Sequence, residues 1–130
     1  MKFILSILVV ILINCCAIGQ SMPKYTARVG GQEGGLMQRG TFIAQQGVEG
    51  MRFISGNHWE SLPIDSFTLM IQRDTVILYK QKVNDQYFNE NLKEELKIIQ
   101  TGDRILIFNI YGYGIDKKTV FIRPIEFIIM

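Results

Sequence analysis

Arg104-Ile105-Leu106-Ile107-Phe108-Asn109-Ile110 is nearly continuous in apolar residues. Such a run reads as a central β-strand covered on both faces. The residues after it, Tyr111-Gly112-Tyr113-Gly114, are expected to bend away as a loop, with Asp116-Lys117-Lys118 forming the next turn. Thr119 to Ile122 and Ile125 to Met130 then read as strands that close the sheet. Pro124 between them marks a bend or an edge position, because proline cannot donate to a ladder. On this reading Ile125–Met130 is an edge open to strand addition by a partner.

Before that run lies one helical pattern. Leu92, Leu96 and Ile99 fall at i, i+4 and i+7, which makes a single apolar stripe. Asn91 with Glu94 three residues later gives an Asn variant of the capping box, and Asn89 is the rival cap. Gly102 stands where a helix-terminating residue belongs. The spacing predicts a surface helix over about 90–100, packed on a sheet.

The remaining pattern is β. Tyr25, Ala27 and Val29 alternate with polar neighbours. Thr41–Ala44 and Gly50–Ile54 are short β-prone runs, the latter ended by Ser55-Gly56-Asn57. His58 to Asp65 reads as an irregular connection because Pro63 interrupts it. Ser66 to Gln72 alternates cleanly, with Phe67, Leu69 and Ile71 on one face. Arg73-Asp74 is a hairpin turn, Thr75 to Lys80 is the return strand, and Tyr87-Phe88 is a short pairing. Several short strands at 8–12-residue spacing with one helix predict a mainly β domain of Ig-like β-sandwich type.

Two Gly-Gly pairs, Gly30-Gly31 and Gly34-Gly35, flank Gln32-Glu33 within Val29–Met37. Glycine reaches positive φ without steric cost, so the pairs predict a structural turn or a close backbone approach. A phosphate cradle would need a Lys-Ser/Thr pair or a helix of useful length behind it, and Leu36-Met37-Gln38-Arg39-Gly40 supplies neither.

This stretch, following a short β-prone run, resembles the opening of the C-terminal domain of the GldM/PorM proteins. Those are motor-shaft components of gliding motility and type IX secretion in Bacteroidetes. The resemblance continues through Ala44-Gln45-Gln46-Gly47, Ser66-Phe67-Thr68 and the span from Leu92 to Arg104. It ends in Arg123-Pro124-Ile125-Glu126-Phe127, so it covers most of the chain after residue 24. It implies a β-rich terminal domain without catalytic residues. It also implies protein partners, either components of the secretion and gliding ring or a second copy of the domain.

The N-terminus reads as an export signal over residues 1–19. Lys2 precedes an apolar run from Phe3 to Ile13, and Ala17-Ile18-Gly19 places small residues before a cleavage point between Gly19 and Gln20. The run is short for a membrane span. Acylation at Cys15 or Cys16 and an uncleaved anchor are the alternatives. Residues 20–24 are a short polar leader, and 25–130 form the domain. The expected address is periplasmic or secreted, with no integral span in the mature form.

Composition narrows the chemistry. The chain has 130 residues, a formal charge of +2 and both signs of charge scattered along it, which leaves no basic stripe for nucleic acid. Its single histidine, His58, and its isolated carboxylates cannot supply a zinc set, and no calcium loop or cofactor motif is present. A hydrolase built on His58 lacks any motif to position a serine. Glu33, Glu49, Glu60 and Asp65 offer a carboxylate pair only if folding brings two together. Tyr111 and Tyr113, set between glycines, either cap the core or form a protein or sugar contact. The expectation is therefore a non-enzymatic exported interaction module. The alternatives are an independent secreted binding module for glycan or protein and, third, a small hydrolase using His58.

Overall fold

A computed structural model describes residues 25–114 and 116–130. The export signal, the Gly19–Gln20 cleavage point, Cys15, Cys16 and the leader lie outside the described residues. The chain is mainly β, with two sheets and, among the described residues, two short helices. Strands β1 (Tyr25–Arg28), β3 (Glu49–Ser55) and β4 (His58–Leu62) form one sheet in the order β1-β3-β4. The larger sheet runs β2-β9-β7-β5-β6, with β8 also paired to β7. Its strands are β2 (Gly35–Met37), β5 (Ile64–Arg73), β6 (Val76–Val83), β7 (Arg104–Tyr113), β8 (Thr119–Ile122) and β9 (Ile125–Ile129). Helix α1 spans Arg39–Ile43 and α2 spans Glu90–Leu96.

The glycine stretch is the crossover between the sheets. Val29 and Gln32 exchange two backbone hydrogen bonds of 3.0 and 3.1 Å around Gly30-Gly31. Both glycines have positive φ, +60° and +79°, as a two-residue reversal with that twist requires. Gly34 and Gly35 also lie at positive φ. A Cβ on Gly34 would stand 2.8 Å from the Glu126 carbonyl oxygen, so only glycine lets the chain pass β9 here. Beyond it, β2 pairs in parallel with β9.

One hydrophobic core joins both layers. Phe67, Leu69 and Ile71 of β5, Ile105 and Ile107 of β7 and Phe127 of β9 point into it. Phe42 meets Phe127 edge-on at 5.5 Å, and Phe88 meets Phe67 at 6.0 Å. Leu92, Leu96 and Ile99 join the same cluster, so the helical stripe is a core stripe. The three-stranded sheet reaches the β8 end of the large sheet, where a Cβ on Gly50 would collide with Ile64.

Several expectations change. Thr41–Ala44 is not a strand. Arg39–Ile43 form a single helical turn that drives Phe42 into the core, and the gain from burying a phenyl ring overrides the β preference of Thr41 and Ile43. The segment after Asn57 is strand β4 rather than an irregular connection. Trp59 lies opposite Phe53 with ring centroids 5.1 Å apart, Glu60 lies opposite Arg52 with a 2.6 Å ion pair, and Pro63 falls just past the strand's end. Helix α2 starts one residue before Asn91, capped by Asn89, whose Oδ1 accepts the Leu92 N–H at 2.8 Å. Gly102 does adopt positive φ, but in a turn five residues beyond Lys97, the helix C-cap.

Two corrections concern the large sheet. Strand β9 is not an edge, since β2 covers one side and β7 the other. Strand β7 is central, yet it is buried on one face only, with alternating burial along its length. Its first half is anchored by Asp103, a fully buried carboxylate. Arg73 donates two 2.9 Å hydrogen bonds to it, and the Gln100 N–H donates a third at 2.8 Å. These bonds, the Arg73 pair foremost, hold the Asp103 carboxyl below its ordinary range against the opposing effect of burial.

Candidate interaction surface

Tyr111 and Tyr113 lie on the strand itself, not on a loop, and how they face outward is a matter of register. From Arg104 to Phe108 the odd-numbered residues Ile105 and Ile107 face the core. Continued unbroken, that alternation would turn Tyr111 and Tyr113 inward. It breaks at Asn109, which takes φ +48°, the left-handed conformation that asparagine tolerates better than most residues. Phe108 pairs with Thr68 and Tyr111 with Ser66, so β7 carries one extra residue there. This is a β-bulge. Beyond it Ile110 and Gly112 face inward, while Tyr111 and Tyr113 stand exposed on the outer face.

A second register shift follows at once. Ser66 pairs with Tyr111 and Ile64 with Gly112, so Asp65 is the extra residue on β5. The shift leaves its carboxylate within reach of Tyr113, whose hydroxyl donates to Asp65 Oδ1 at 3.1 Å. That bond, reinforced by the carboxylate's charge, pushes the Tyr113 phenol above its ordinary range. Gly112 between the tyrosines has a steric role. A Cβ there would stand 2.8 Å from the Pro63 carbonyl oxygen and 3.2 Å from Leu62 Cδ2.

Strand β8 adds a residue that the sequence reading missed. Phe121 pairs directly with Tyr111, and their rings meet edge-on at 5.4 Å. At 59% exposure, Phe121 is the most open aromatic of the group, against 36% for Tyr111 and 43% for Tyr113. The available signal was alternation in Thr119-Val120-Phe121-Ile122, where Ile122 is buried and Phe121 must point the other way. Tyr113 also borders a cleft of about 230 Å³ whose other walls include Arg52, Glu60, Pro63 and Lys117. The arrangement joins an apolar aromatic pair to a hydroxyl–carboxylate pair and to cations at the cleft. Such a surface can desolvate an apolar partner group and orient it with hydrogen bonds.

The other candidate residues are dispersed. His58 is exposed near the tip of the β3–β4 hairpin. Glu60 is paired with Arg52, Glu33 lies 3.5 Å from Arg28, and Asp65 serves Tyr113. Among the described residues no three His, Cys, Asp or Glu side chains converge as a metal site would need. Also among the described residues, no helix is long and apolar enough to cross a membrane. No protein-family model matches the chain, and no curated protein matches it either.

Proposed function

We propose that this chain is a non-catalytic, exported protein-interaction module that binds through the Tyr111–Tyr113–Phe121 face. The observation that carries this reading is the double bulge at Asn109 and Asp65. It turns aromatic rings out of the core and ties one of them to a carboxylate. Bulges that re-aim side chains recur beside functional surfaces. The resemblance to the GldM/PorM terminal domain supplies the partner class: components of the gliding and type IX secretion ring, met in the periplasm or at the cell surface.

The test is co-purification from native envelopes after mild crosslinking, comparing the tagged chain with a Tyr111→Ser/Phe121→Ser variant. Both side chains are exposed, so the variant keeps its core. Ring components recovered with the first and lost with the second are the expected result. Equal recovery with both would remove this face from the interaction. An absence of any protein partner would favour the second reading, a glycan-binding module. The Tyr111–Phe121 ring pair beside the Tyr113–Asp65 hydrogen bond favours it, since sugars are held by aromatic faces and carboxylate acceptors.

A further inference from the structure

Among the described residues, the large sheet leaves β6 unpaired along its outer side. It is the last strand in the order β2-β9-β7-β5-β6, and its eight residues contain no proline and no acidic side chain. The opposite edge, β2, is three residues long. Register along β6 is regular from Tyr79 to Val83, then shifts at Leu78, where Ile71 pairs with Tyr79 but Gln72 pairs with Ile77. An edge of this kind presents free backbone donors and acceptors at every second residue.

Side-chain placement selects among possible occupants. Lys80 and Lys82 lie opposite Met70 and Thr68 and are both exposed. Lys80 Nζ rests 5.6 Å from the centroid of the Phe108 ring, which holds one ammonium over the sheet's outer face. The other face of β6 carries Tyr79 and Gln81, whose side chains hydrogen-bond to each other. Glu95 of α2 lies near enough to act on Tyr79 electrostatically. Val76 and Ile77, at 58% and 56% exposure, extend the same edge with apolar surface.

A second copy of this chain is disfavoured in the registers that overlap the two lysines fully. Antiparallel self-pairing centred on Gln81 sets Lys80 against Lys82 twice, and centring on either lysine sets it against its own copy. Like charges directly opposite destabilise a ladder.

We infer that the β6 edge, Val76–Val83, accepts an extended acidic segment of another protein as an added strand. Carboxylates two residues apart on that segment would meet Lys80 and Lys82. Neutral or apolar residues at the alternate positions would meet Gln81 and Tyr79 on the face that Glu95 borders, which keeps the carboxylates away from Glu95. This edge is separate from the Tyr111–Phe121 pair and does not depend on the function proposed above.

The test uses the full chain, isotope-labelled, titrated with a short synthetic peptide that alternates glutamate with valine or threonine. Amide shifts confined to β6 and its neighbour β5, weakening as salt is raised, are expected. The exposed double variant Lys80→Glu/Lys82→Glu should lose at least about tenfold in affinity for that peptide. It should gain binding to the peptide with lysine in place of glutamate. A wild-type chain that binds the lysine peptide equally well, shifts mapping to the Tyr111–Phe121 face, or no shifts at all would each overturn the proposal. The first of these outcomes would leave the two lysines as guards against edge aggregation.

Discussion

From Arg104 to Phe108, β7 turns its odd-numbered residues into the core, and from Ile110 to Tyr113 it turns its even-numbered ones. The two halves belong to one strand and share a neighbour in β5, yet they serve different ends. The first half buries Ile105 and Ile107 in the core and is anchored at its start by Asp103. The second buries only Ile110 and the bare backbone of Gly112, and spends its large side chains on the surface. One left-handed residue separates them. The contrast shows that a side chain's fate within a strand is set by the parity of what precedes it, so a single bulge converts a core position into an outward-facing one.

The largest way to sharpen that contrast is truncation in the first half. Ile107→Ala should cost about 2–5 kcal/mol in denaturant unfolding, with the slope unchanged, because it leaves a cavity among packed neighbours. Tyr111→Ala in the second half should cost no more than about 1 kcal/mol, the worth of its cross-strand ring pair with Phe121. A comparable loss at both sites would mean that Tyr111 is packed rather than presented.

Next in size is Gly112→Ala. The new methyl meets the Pro63 carbonyl, so a loss of about 1–3 kcal/mol is expected. A neutral outcome would show that β4 and β5 yield more easily than this approach implies.

The bulge itself can be probed by two exchanges at one site. Asn109→Val places a β-branched residue at positive φ and should cost about 1–2 kcal/mol. Asn109→Gly, which suits that conformation, should change stability by less than about 0.5 kcal/mol. The order reversed would mean that Asn109 is extended.

Much of the fold could be read in advance, and the failures share a cause. Alternation in Ser66–Gln72 located β5 and its buried face, and the Leu92, Leu96, Ile99 spacing located α2. Both are local patterns of period 2 and 3.6, which survive folding when nothing overrides them. Thr41–Ile43 failed because Phe42 is wanted by Phe127 and Phe88, partners far away in sequence. Residues 104–110 read as covered on both faces because Leu106 and Phe108 are apolar, yet both lie half-buried on the outer face. Tyr111 and Tyr113 were legible as aromatics worth watching. Their exposure was not, since it depends on a bulge that only pairing with β5 reveals, whereas the outward direction of Phe121 was legible in the alternation of Thr119–Ile122 alone.

Titration also separates the two halves. Asp103 has a lowered carboxyl pKa in the fold, so its contribution is fully present above the unfolded carboxylate's value and is lost as pH falls through the folded one. Tyr113 has a raised phenol pKa, so its contribution is present below the unfolded tyrosine's value and is lost as pH rises through the folded one. Melting temperature followed against pH should show an acid-side decline that Asp103→Asn flattens. Ultraviolet titration should show late-ionising tyrosines, Tyr79 and Tyr113, of which Tyr113→Phe removes one. An unchanged titration in that variant would place Tyr113 away from Asp65.

The central claim is that the Asn109 bulge turns Tyr111 out of the core, and proton NOE spectroscopy on the wild-type chain tests it most directly. Contacts between the Tyr111 and Phe121 rings, with a positive-φ coupling at Asn109 and no contact from Tyr111 to Phe67, are the expected result. Ring contacts from Tyr111 to Phe67 or other core side chains, with Asn109 extended, would contradict it.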